Sequence, residues 1–195
     1  ADIMSHTFES YFSLDDGAYL QDRLAEAVLK TCIHYGPIAL KEPDNYDARA
    51  NLMWAGTWAI NGLLGCGKMT MWSAHPMEHE LSAFYDITHG TGLAILTPHW
   101  MRHVLNDNTV HKLAEYGVNV WGLPADADVY KTANTAIDKT SEFFASLGIP
   151  MTLHEVGIGE EHLKEMAEAA VMHRSRSGKI RGFQTLTAAD VLAIY

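Results

Sequence analysis

The sequence predicts an all-α domain, and three observations carry that prediction. Apolar residues recur at three- and four-residue spacing through most of the chain, as in Leu20, Leu24, Ala27, Val28 and Cys32. Helix punctuation falls between these runs, with Asp44-Asn45 and Thr187 at starts and Gly65 and Gly148 at ends. The short apolar run Val118-Asn119-Val120-Trp121-Gly122 has no partner strand in the sequence. At 195 residues, one domain with a core of its own is expected.

Residues 1–14 read as a helix, followed by a turn at Asp15-Asp16-Gly17. Residues 18 to about 35 form a long amphipathic helix, which Gly36-Pro37 should kink or end because proline has no N–H for the ladder. Asp44-Asn45 caps a helix from 46 to about 64. Leu52, Met53, Trp54, Trp58 and Ile60 make that helix apolar nearly all round, so it is expected to lie buried at the centre. Gly65-Cys66-Gly67-Lys68 ends it. Pro76, suited to a first helical position, opens a helix to Tyr85. After a break at 86–88, residues 89–106 form another, with Pro98 bending it. Residues 109–116 are a short helix that Gly117 should end, and 118–122 a loop that docks Trp121. A long helix spans 126–147, closed by Gly148. An extended connection at 149–151 leads towards a helix at 159–174 and a Gly- and Arg-rich loop at 175–183. The last helix is 187–195, where Thr187 and Asp190 have capping-box spacing.

Fourteen Lys and Arg against 24 Asp and Glu give a net charge of −10, which argues against nucleic acid as a partner. No stretch reaches the roughly 18 apolar residues of a membrane span, and no secretory signal pattern opens the chain. A hydrophobic content of 48% and a mean hydropathy of −0.08 fit a soluble globular chain. Cys32 and Cys66 form no C-x-x-C pair and read as free thiols of a reducing cytoplasm. The first residue is not methionine, as in a fragment or a processed chain.

Residues 75–90, HPMEHELSAFYDITHG, hold three of the eleven histidines: His75, His79 and His89. His75 and His79 are four apart and share a helix face, about 6 Å from one another. The break after Tyr85 allows a helix–turn–helix to fold His89 back over His75. Asp2 and His6 are again four apart on the first helix. Asp2, His6, His75 and His89 together supply one carboxylate and three imidazoles, a set that zinc or ferrous iron accepts. Against this stands a plain reading as surface and capping histidines, and spacing alone does not choose.

The D-x-x-x-H of Asp2 and His6, followed by H-x-x-x-H and then H-G at His75, His79 and His89-Gly90, resembles the metal signature of the iron-containing alcohol dehydrogenases. The wording HPMEHELSAFYDITHGTGLAILTPHWMRHVL resembles the butanol-dehydrogenase branch, and LTAADVLAIY resembles the family's final helix. The resemblance covers the whole chain but only half of a family member; the N-terminal nucleotide-binding half is absent. It implies a helical bundle of the dehydroquinate-synthase-like kind. It implies a divalent metal, Fe2+ or Zn2+, on Asp2, His6, His75 and His89, acting as a Lewis acid on the substrate oxygen. His79 would lie beside the metal and face the substrate, as the candidate to pass the alcohol proton. The reaction implied is NAD(P)H-dependent interconversion of small primary alcohols and aldehydes, with the nucleotide bound mainly by the missing half. That half is then a partner, and a homo-oligomer is compatible. Two readings from other classes stay open: a non-catalytic helical module stabilised by metal, and a hydrolase using metal-activated water.

Other motifs are weaker. Gly62 to Lys68 nearly spells a phosphate-binding G-x-x-x-x-G-K, but Met69 stands where Ser or Thr should be, and a helix rather than a strand precedes it. His79-Glu80 and His154-Glu155 lack the second histidine of H-E-x-x-H. There is no G-x-S-x-G, and no G-x-G-x-x-G of a dinucleotide fold. Met69, Met71 and Met77 read as core filler, and Trp54, Trp58, Trp72 and Trp100 as mostly core.

Overall fold

Helices α1 (Asp2–Tyr11), α2 (Tyr19–Lys41), α3 (Tyr46–Ile60), α4 (Ala74–Tyr85), α5 (His89–His103), α6 (Val110–Trp121), α7 (Val129–Ser146), α8 (Leu163–Arg174) and α9 (Ala188–Ile194) build the chain. This computed structural model describes residues 1–14, 17–70, 72–174 and 178–195, the side chain of Arg174 excepted. The expected turn at Asp15-Asp16, Met71, and residues 175–177 of the expected loop lie outside the described residues. Among the described residues, β pairing is limited to an isolated bridge between Ile180 and Leu186. The expected all-α class is the observed one. No described helix is long and apolar enough to cross a membrane.

Local chemistry sets several helix starts. Asn45 accepts from the Ala48 N–H at 3.0 Å. Asp128 accepts from the Tyr130 and Lys131 N–H groups, and Thr187 and Asp190 form the reciprocal capping box. The core joins Met4, Phe8 and Tyr11 of α1 to Leu29, Met77, Leu81, Leu93, Leu96, Trp100, Leu113, Tyr116, Ile137 and Phe144, all 2% exposed or less. Each such side chain contributes about 1.5–3 kcal/mol by leaving water. α1 packs on α2, α3 and α5 and touches α4, so the first helix runs through the middle of the site-bearing elements.

The structure departs from expectation at several places. α2 continues through Gly36-Pro37 to Lys41; Pro37 is exposed, where loss of one ladder bond is least costly. α3 is not a buried helix. It buries only Ala48, Ala55 and Ala59, while Met53, Trp54 and Ile60 are 74%, 65% and 68% exposed. Gly117 does not stop α6. A Cβ there would lie 3.1 Å from Ala136 Cβ and 3.3 Å from Thr132 Cγ2, so this glycine permits the close approach of α6 to α7. The stop is Gly122, at φ 68°, and residues 118–121 are helical. α4 begins at Ala74, with Pro76 still in the first turn, where its missing N–H breaks no bond. Met77 is core, whereas Met69 is 69% exposed.

A buried polar cluster joins α2 to α6 and the Gly-rich turn. Asp22 accepts from Lys68 at 2.6 Å and from Lys112, and Glu26 accepts from Tyr11 at 2.8 Å and Asn119 at 2.9 Å. Lys68 is therefore committed to Asp22, and α3 precedes its turn; neither feature suits a phosphate loop.

Candidate metal centre

Three helix starts meet at one end of the bundle. Asp2 and His6 lie on α1, His75 is the second residue of α4, and His89 the first of α5. The reversal between α4 and α5 turns on Asp86, which takes the left-handed conformation at φ 52°, one that aspartate tolerates better than most residues. One ligand atom from each of Asp2, His6, His75 and His89 lies within 4.8 Å of the other three. Asp2 Oδ1 is 3.5 Å from His6 Nε2 and 3.7 Å from His89 Nε2. The His75 ring centroid is 4.4 Å from that of His6 and 5.4 Å from that of His89.

The donor set fits a divalent cation. Asp2 Oδ1 and His75 Nε2 are buried and have no hydrogen-bond partner among the described residues. Buried polar atoms are rarely left so. A carboxylate oxygen and bare imidazole nitrogens turned towards one another offer lone pairs only, which a cation satisfies. Burial, the neighbouring His75 and, less, His89 hold His6 below its usual range, against the pull of Asp2; that favours the neutral ligating form.

His79 is exposed, one turn after His75. Its ring stacks on that of His89 at 5.6 Å and 28°, and its centroid lies 6.2 Å from that of His75. It belongs to a second convergent group, with Glu78 and His89. A cavity of about 190 Å³ opens beside the cluster, lined by Trp72, His75, Pro76, His79, Glu80, Ala170 and His173. Trp72 meets the rings of His75 and His6 edge-on at 4.6 and 5.2 Å, while Glu80 pairs with His173 Nδ1 at 2.8 Å. Of the other tryptophans, Trp100 is core and Trp54 exposed. His103 pairs with Asp190, away from the cluster.

Sequence reasoning missed two carboxylates behind the cluster. Glu9 Oε1 lies 3.1 Å from His75 Nδ1, and Glu78 Oε2 contacts His89 Nδ1. A signal was present: Asp2, His6 and Glu9 fall on one helical stripe, as do His75, Glu78 and Ser82.

The family described as Fe-containing alcohol dehydrogenase, C-terminal, matches residues 1–195. The chain is 60% identical over 195 residues to NADH-dependent butanol dehydrogenase A of Clostridium acetobutylicum, covering 100% of this chain and 50% of that protein. It is 41% identical over 157 residues to the NADPH-dependent aldehyde reductase YqhD of Escherichia coli, covering 80% of this chain and 40% of that one. The solved substrate- and cofactor-free form of YqhD superposes with a TM-score of 0.91 at 35% identity, over 100% of this chain and 50% of that chain. The solved NADH-dependent butanol dehydrogenase A of Thermotoga maritima gives 0.90 at 29% identity, over 99% and 49%. The chain spans about half the length of the curated relatives it matches.

Proposed function

The chain belongs to the Fe-containing alcohol dehydrogenase family, to its C-terminal part, and from that premise we propose that it is the metal-binding half of an NAD(P)H-dependent dehydrogenase interconverting primary alcohols and aldehydes. The observation that carries the reading is the convergence of Asp2, His6, His75 and His89, with unpartnered Asp2 Oδ1 and His75 Nε2 turned inward. These four would hold a divalent iron or zinc ion, which would supply Lewis acidity at the substrate oxygen, while a bound nicotinamide would supply the hydride. Asp2 contributes the one charge among the four ligands. Trp72, Pro76 and Ala170 give the adjoining cavity apolar walls for a short carbon chain. His79, exposed at the cavity and stacked on His89, is placed to take or return the alcohol proton at a ring nitrogen. Names of relatives, butanol dehydrogenase and aldehyde reductase, support a small alcohol or aldehyde as substrate.

The nucleotide falls to a second half of similar length. The relatives are twice as long as this chain, and the exposed apolar face of α3, with Met53, Trp54 and Ile60, is surface that such a half would cover. A purely structural ion is less well supported, because structural sites are closed, and here the Asp2 side chain is 49% exposed and His75 lines a cavity.

Metal content by elemental analysis is the first test. The chain loaded with Fe2+ or Zn2+ should retain the ion through desalting, and His75→Ala and His89→Ala should not; equal retention by the variants refutes the ligand assignment. In the enzyme with both halves, His79→Phe should keep the metal and slow NADH-dependent butanal reduction. The 195-residue chain alone should not bind NADH; micromolar affinity there would overturn the division between halves.

A further inference from the structure

Two buried carboxylates stand one step behind the four ligands. Glu78 is 0% exposed and Glu9 is 5% exposed. Among the described residues, neither makes an ion pair with lysine or arginine. Glu78 Oε1 accepts from Ser82 Oγ at 2.6 Å, and its Oε2 contacts His89 Nδ1 and has no other partner among the described residues. Gly92 makes room for this carboxylate, since a Cβ there would lie 2.8 Å from Glu78 Cγ and Oε1. Glu9 accepts from the N–H groups of Ser73 at 2.7 Å, Ala74 at 2.8 Å and His75 at 3.1 Å, and lies 3.1 Å from His75 Nδ1.

The arrangement is the same on both rings. A carboxylate occupies Nδ1, and Nε2 is the nitrogen left towards Asp2: His89 Nε2 lies 3.7 Å from Asp2 Oδ1, and His75 Nε2 has no partner. His6 differs, because its Nδ1 has no partner among the described residues and its ring rests on Trp72. A buried carboxylate needs a counter-charge or several donors. Glu78 has one hydroxyl and one imidazole, too little unless positive charge sits on the far side of the ring.

Resting on the metal-centre reading above, we propose that Glu78 and Glu9 are positioning residues for the cation. Each accepts a hydrogen bond from the Nδ1–H of its histidine, fixes the tautomer that leaves Nε2 bare, and places a negative charge behind the ring that makes Nε2 a stronger ligand. The test is a titration of the metal-free chain with Co2+, read by the visible absorption of the bound ion and, by competition, with Zn2+. Glu78→Gln keeps the size and one acceptor oxygen but drops the charge. It should weaken Co2+ binding about 10–100-fold and alter the visible band, while the metal-free chain melts within a few degrees of wild type. Ser82→Ala, which removes a hydrogen bond without touching charge, should change affinity far less. Glu9→Gln, measured well below its melting temperature, should weaken binding in the same range. Unchanged affinity in Glu78→Gln overturns the proposal. So does a loss matched by unfolding of the metal-free variant, or by an equal loss in Ser82→Ala, since either marks a packing role. Failure of the wild-type chain to bind Co2+ or Zn2+ removes the metal-centre reading, and this inference with it.

Discussion

Replacing Glu9 with alanine should destabilise the chain even when no metal is bound. Ser73, the residue preceding α4, makes no side-chain cap. The helix is capped from another element instead, by the Glu9 carboxylate on three successive N–H groups at 2.7, 2.8 and 3.1 Å. Ser73, Ala74 and His75 are 1%, 5% and 2% exposed, so water cannot simply replace the lost acceptor. A buried donor left unpaired costs about 1–3 kcal/mol. Three such donors set the gross loss. Two effects reduce it: a carboxylate no longer has to be desolvated, and the vacated space can admit a water. The net cost is about 2–4 kcal/mol, above the ~0.5–2 kcal/mol of an ordinary N-cap. At about 2–4 °C per kcal/mol for a domain of this size, the melting temperature should fall by roughly 4–16 °C. Thermal unfolding followed by circular dichroism in excess chelator measures it, since bound metal would add stability of its own. Glu9→Gln, which keeps an acceptor oxygen, should lose about half as much. A melting temperature for Glu9→Ala within 2–3 °C of wild type, on that same scale, would refute the external cap.

Burial pushes Asp190 up, but the hydrogen bonds from Thr187 and the contact with His103 outweigh it and hold the carboxyl below its ordinary range. A lowered folded value means that its stabilisation is present above about pH 4 and lost as pH falls through that lowered value. Urea midpoints at pH 6 and pH 3 should therefore converge between wild type and Asp190→Asn at the lower pH; a difference that grows on acidification would reverse the sign. At Gly56, inside α3, an added Cβ would meet Ile3 Cδ1 at an ordinary 3.5 Å. Gly56→Ala should raise the urea midpoint by the equivalent of about 0.5–1 kcal/mol, and a lowered midpoint would show that α3 cannot accept the methyl.

What the sequence made legible is what is local. The caps at Asn45 and Thr187 span three residues and are seen as expected. The pairs Asp2/His6 and His75/His79 follow from one turn of helix, and the His75–His89 return from a single break. The residues misread depend on partners far along the chain. Gly117 looks like a stop until α7 is known to pass 3.1 Å from where its Cβ would be. α3 looks buried because an all-apolar pattern reports what a helix can cover, not what is there to cover it. Glu9 is separated by 64 to 66 positions from the groups it binds, so its stripe with Asp2 and His6 could show which side of α1 it shares but not which N–H groups it would meet.

The two carboxylates also answer an electrostatic difficulty of the site. His75 and His89 are delivered by the first turns of α4 and α5, and a helix start carries about half a positive charge. Such ends attract anions and repel the cation the ligand set is suited to. Glu9 lies directly on the exposed N–H groups of α4, and Glu78 packs against Gly92 in the first turn of α5, so each helix start that brings a histidine has a carboxylate of its own. With α1, whose start carries Asp2, three helix ends supply about +1.5. Glu9, Glu78 and Asp2 supply three negative charges and a divalent ion would add two positive ones, so about half a positive charge remains. Without Glu9 and Glu78 that excess would be about two charges larger. Removing either outer carboxylate leaves one helix start uncompensated, so charge as well as ring orientation should govern the cation's affinity.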